Sequence, residues 1–148
     1  GNNLTWSHTV PDSANRLLVV TIATHRTGAN LANVNSITYA GSPLTAIIAT
    51  QGNAQDLSKR TEIWVLVAPP IGTANIVVSM SAVSNVVGAS YSFASVDQAA
   101  PVFNSGNTAA TNTASASAAT LAICPPSFTR SAIVDVIAVS FRVRAIRG

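Results

Sequence analysis

The sequence predicts an all-β domain, an antiparallel β-sandwich of jelly-roll or immunoglobulin-like type with about eight or nine strands. Three observations predict it. Apolar side chains recur at every second position, and no stretch carries a sustained helical stripe. Clusters of Gly, Pro, Asn and Asp interrupt these runs about every ten to fifteen residues. The intervening segments are too short and too polar to hold the crossover helices of a parallel sheet. A single cysteine, Cys124, leaves no Cys…Trp…Cys spacing, which excludes an antibody-type domain and any intrachain disulfide.

In residues 4–10, Leu4, Trp6, His8 and Val10 fall on one face and Thr5, Ser7 and Thr9 on the other, the pattern of a half-buried strand. Pro11, Asp12 and Asn15 mark a turn. Residues 16–25 are apolar on both faces, Leu18, Val20 and Ile22 against Leu17 and Val19. That is expected of a central strand covered on both sides. Residues 26–35 form a polar loop.

Residues 36–39 and 44–50 flank Ala40-Gly41-Ser42-Pro43 and predict a tight hairpin. Gly41 supplies positive φ there, and Pro43 cannot donate to a ladder. Residues 51–59 are loop-like. Residues 61–81 hold two apolar runs around Pro69-Pro70-Ile71-Gly72, with Glu62 the one charge, and predict a second hairpin at the middle of a sheet. Trp64 is core in that hairpin. In residues 86–96, Val87, Ala89, Tyr91 and Phe93 line one face and Gly88, Ser90 and Ser92 the other, with Tyr91 and Phe93 as core.

Residues 97–107 predict a connection, and 108–119 an exposed strand or a disordered low-complexity tract. Cys124-Pro125-Pro126 breaks any element. Residues 132–139 form an apolar strand, and 141–144 alternate like an edge strand protected by arginine charge.

The 148 residues suit one domain, 1–148, and the Gly-Asn-Asn start suggests a fragment of a longer protein. Charged residues make up 9% of the chain, against about 25% in an average soluble domain. Solubility therefore falls to Ser, Thr and Asn, a balance that suits exported proteins and virion parts. The net charge of +3 is gathered near the end, where Arg130, Arg142, Arg144 and Arg147 face only Asp135. Without interleaved aromatic platforms these arginines make a solvated edge, not a nucleic-acid surface. The uncharged residues 63–96 are long enough to cross a bilayer, but Pro69, Pro70, Gly72, Asn75, Asn85 and Gly88 interrupt them, so no membrane span is expected.

Reactive residues are sparse. His8 lies on the apolar face beside Trp6 and reads as a strand residue; His25 ends its strand at a loop mouth, where binding groups commonly sit. No second His lies at ligand spacing, so no metal site is expected. No serine lies in a Gly-x-Ser-x-Gly elbow. Asp12, Asp56 and Asp97 fall in turns, where aspartate often serves to fold the chain. Asp135, in phase with Ile133 and Ile137, calls for an arginine partner or an open face. Asp97 with Gln98, Asn104 and Asn107 offers oxygens for a loop-bound Ca²⁺, but without a recognised spacing, so no cofactor is expected. Trp6 is the ring best placed to stack on a sugar, although core packing is the commoner use. The candidate ligand-binding residues are therefore Trp6, His25 and Asp97, with no catalytic residue.

The strings Ser36-Ile37-Thr38-Tyr39-Ala40-Gly41-Ser42-Pro43-Leu44-Thr45, Glu62-Ile63-Trp64-Val65-Leu66-Val67-Ala68-Pro69-Pro70-Ile71-Gly72-Thr73 and Gly88-Ala89-Ser90-Tyr91-Ser92-Phe93, with Val96-Asp97-Gln98 through Pro101, carry a resemblance. Residues 4–104 resemble a recurrent β-sandwich module of large exported bacterial and phage surface proteins. These motifs are turn and core residues, so the resemblance implies a noncatalytic extracellular role and carries across no active-site residue. Residues 124–130 and the arginine-rich end depart from the pattern.

The expected function is a noncatalytic structural or binding module, extracellular, at a cell surface or on a virion, whose partner is a glycan or another surface protein. Two alternatives stand beside it: a glycan-active hydrolase using loop carboxylates, and a virion decoration or oligomer-forming protein.

Overall fold

A computed structural model of the chain describes residues 3–25, 33–51, 59–82, 85–108, 115–123 and 135–142. Among them eleven strands occur and no helix: β1 (Asn3–Val10), β2 (Leu17–His25), β3 (Val34–Tyr39), β4 (Ser42–Pro43), β5 (Thr45–Gln51), β6 (Lys59–Val67), β7 (Gly72–Met80), β8 (Asn85–Phe93), β9 (Val102–Thr108), β10 (Ser115–Ile123) and β11 (Asp135–Arg142). Two four-stranded antiparallel sheets, ordered β1-β7-β3-β4 and β5-β6-β2-β8, pack face to face. The expected β-sandwich is present, with eight strands in its two sheets. A third sheet, β11-β10-β9, lies over β5 and β6 on their other side.

Side-chain periodicity explains the layering. β2 alternates between two cores: Leu18, Val20 and Ile22 face the first sheet, whereas Leu17 and Val19 face an outer core on the other side. β6 does the same, with Trp64 and Leu66 inward and Ile63 and Val65 outward. The inner core is completed from the first sheet by Val10, Ile37, Tyr39, Ile76, Val78 and Met80. The outer one gains Val96 and, at its margin, Ile47, Phe93 and Val102. Each fully buried aliphatic side chain contributes about 1.5–3 kcal/mol. The two-faced burial expected of residues 16–25 is observed.

Neither expected hairpin forms as a full ladder. β3 pairs with β4 over two residues only, Thr38 with Pro43 and Tyr39 with Ser42; the chain then crosses at Leu44, and β5 joins β6 in the second sheet. β6 and β7 do not pair at all: β6 lies between β5 and β2, β7 between β1 and β3. The segment 68–71 is an arch from one sheet to the other. The cause lies in the two patterns. β6 is apolar on both faces and needs cover on both. β7 buries only Ala74, Ile76, Val78 and Met80 and leaves Thr73 and Asn75 exposed. One sheet cannot satisfy both demands.

The arch is held from the preceding turn. Ala68, at φ 48°, donates its N–H to the Arg16 carbonyl (3.0 Å), and Arg16 Nε donates to the Pro69 carbonyl (3.2 Å). Ser95 and Val96 donate to the carbonyls of Ala14 and Asn15, so three turns close on one end of the sandwich.

Toward the end of the chain, the expected connection 97–107 contains β9, and β10 spans Ser115–Ile123. β11 runs unbroken through the expected boundary near residue 140. Asp135 stands opposite Ile123 in register; the ion pair expected of it lies outside the described side chains, as do Cys124, Arg130, Arg144 and Arg147. No helix among the described residues is long and apolar enough to cross a membrane.

Candidate functional site

A polar cluster joins the edges of the two sandwich sheets. β1 sends Trp6 and His8 inward in phase with Leu4 and Val10, as their alternation requires. Across from them, β8 turns Gly88, Ser90 and Ser92 inward. Trp6 Nε1 donates to Ser90 Oγ at 3.0 Å. His8 bonds Ser90 Oγ through Nδ1 at 2.9 Å and Ser92 Oγ through Nε2 at 2.8 Å. We assign the proton to Nε2, because the donors then run in one direction, from Trp6 through Ser90 and His8 to Ser92. The imidazole meets the edge of the Tyr39 ring, centroids 6.1 Å apart and planes at 75°. Tyr39 itself donates to the Gly72 carbonyl and ties β3 to the start of β7. Burial pushes the His8 imidazole below its ordinary range.

This arrangement corrects the expected facing of residues 86–96. Tyr91 is 46% exposed and Val87 56% exposed, so Tyr91 is not core. The Trp6 ring dictates the choice. A Cβ at position 88 would stand 2.7 and 2.9 Å from Trp6 ring carbons, so only glycine lets the ring lie against β8. The small residues at 88, 90 and 92 were the signal: they complement a strand carrying two large rings. Phe93 stays with the outer core, as expected.

The three candidate binding residues do not converge. Trp6 is half-buried in the seam, with its ring on Gly88 and its N–H on Ser90. His25 is half-buried at the end of β2, paired in register with Lys59 and Asn85. Asp97 lies beyond the opposite end of β2, about 25 Å away by strand rise. Its Oδ1 accepts from the N–H groups of Ala99 (2.8 Å) and Ala100 (3.1 Å), which folds the turn locally. Gln98 donates to the Val96 carbonyl, and Asn104 and Asn107 belong to β9 rather than to a loop. Among the described residues no three His, Cys, Asp or Glu side chains gather where they could hold a metal ion. Asp12 is exposed in its turn; Asp56 lies outside the described residues.

Glu62 is the acid the sequence did not single out. It is 4% exposed within the inner core. Its Oε2 accepts from Trp64 Nε1 at 2.8 Å, while Oε1 takes the Arg60 guanidinium and, at 3.4 Å, the N–H of Val34 in the facing sheet. These partners make a buried carboxylate tolerable and turn it into a tie between sheets. No family model, no curated protein and no solved structure matches the chain.

Proposed function

We propose that this domain is a noncatalytic structural or binding module of an exported bacterial or phage protein, at a cell surface or on a virion, with carbohydrate as its first ligand class. One observation carries the reading: the polar groups suited to chemistry are engaged in holding the fold. Trp6, His8, Arg16 and Tyr39 bond to another strand or turn, Glu62 accepts from Val34 of the facing sheet, and Asp97 closes its own turn. A general acid or base instead needs a proton position open to substrate. The resemblance of residues 4–104 to exported modules supports the same reading.

What the fold offers a partner is the outer face of β8, where Tyr91 and Val87 stand exposed. A flat ring with a hydroxyl rim suits the mixed apolar and polar face of a sugar. Exposure of the same residues favours oligomer formation as the second reading. A glycan array probed with the labelled domain and with Tyr91→Ala tests the proposal. Binding that the substitution reduces at least about tenfold supports it. Glycan hydrolysis abolished by Asp12→Asn or Asp97→Asn overturns it, and a concentration-dependent mass by light scattering, lost in Tyr91→Ala, moves the reading to the oligomer.

A further inference from the structure

β1 and β8 are adjoining edge strands of different sheets, and no backbone ladder joins them. Side chains do. His8 is the central member, because it alone bonds two residues of the opposite strand. Its neutral ring accepts from one serine and donates to the other. With protons on both nitrogens, Ser90 Oγ would accept from Trp6 and His8 together, filling both lone pairs, and its own proton would lose the Nδ1 acceptor.

The charge so created would also stand uncompensated, since the buried Glu62 carboxylate of β6 is already taken by Arg60 and Trp64. β1 carries no other ionisable side chain, and β7 carries none. β3 presents only Tyr39, whose hydroxyl is engaged with Gly72. β2 presents Leu18, Val20 and Ile22 to this side, with His25 at its far end; on β8, Tyr91 points to the other face. In the turn after β1, Asp12 is exposed and Arg16 is bound to the carbonyls of Ser13 and Pro69.

We propose that this seam is an acid-sensitive latch: the neutral His8 ring fastens β1 to β8, and protonation loosens both strands. The latch operates whatever ligand the module binds. The lowered basicity of the buried imidazole agrees with it. The sign follows from linkage. A histidine held below its unfolded value, about 6.5, gives full stability above that pH; stability falls as pH drops toward the folded value and then levels off.

Hydrogen exchange on the full chain at about pH 7.5 and about pH 5, corrected for intrinsic rates, reads the latch directly. Relative to β2, amides of β1 and β8 should lose protection several-fold in acid; His8→Gln should abolish that difference, and His25→Gln should leave it intact. A titration of His8 by NMR, independent of whether the variants fold, should place its midpoint below about 6.5. A midpoint at or above that value, or equal acid sensitivity in wild type and His8→Gln, overturns the proposal.

Discussion

Gly88 has no side chain because the Trp6 ring occupies the place of one. Gly88→Ala puts a methyl group 2.7 Å from that ring, closer than carbon atoms settle, so the indole or the strand must shift and the Trp6–Ser90 bond is strained. Overpacking of this kind costs about 1–3 kcal/mol. We expect Gly88→Ala to lower the unfolding free energy by that amount, read as a lower denaturant midpoint with little change in the slope, and Gly41→Ala to act by another route. A Cβ at Gly41 meets open space, but its φ of 78° disfavours any side chain. At this scale the sequence was partly legible. The alternation of 4–10 placed Trp6 and His8 inward correctly. It could not reveal that the serines of 90 and 92 also face inward, because hydroxyls facing a core look the same in sequence as hydroxyls facing water. Only the partner strand distinguishes them.

Among the elements, β2 is the one whose pattern left least choice. From Leu17 to Thr24 every residue is buried, and both neighbours, β6 and β8, pair with it along its whole length. Strands with such cover open only through global unfolding. Amides of β2 should therefore be the slowest to exchange in the chain, and those of the edge strand β1 faster by at least about tenfold. Equal rates would mean that the layers do not protect as described.

The hairpins, by contrast, were misjudged from local signals. Ala40-Gly41 and Pro69-Pro70-Ile71-Gly72 are turn residues in either case, since a tight turn and an inter-sheet arch both need positive φ and missing donors. Ala40, Gly41, Ala68 and Gly72 all adopt positive φ. What separates the two outcomes is the number of faces each flanking strand must bury. Residues 61–67 bury two and residues 72–80 bury one, a contrast visible in the sequence once cover is counted face by face. The strands β9 and β10 were harder to see, because the Asn, Gly and Ala in them do not favour an extended strand.

For the whole molecule, the middle sheet sets the architecture. β2 and β6 are dry on both sides, so one layer must lie above them and another below. The first sheet and the β9–β10–β11 sheet supply those layers. Low charge and few aromatic rings fit this plan: most interior positions are filled by Val, Ile and Leu, and Trp6, His8 and Glu62 link one sheet to another. Function is less legible than fold for the same reason. Residues that fasten strands or close turns resemble, in sequence, residues that hold ligands; Trp6 does the first and Asp97 the second in their observed contacts.

The division of β6 and β7 between two sheets underlies every statement about layers, seam and exposed face. Cross-strand nuclear Overhauser contacts between backbone protons test it most directly. Contacts of Trp6 with Ile76, and of Val20 with Trp64, are expected, and no ladder between β6 and β7. A continuous set of β6–β7 contacts about the Pro69-Pro70 turn would contradict it.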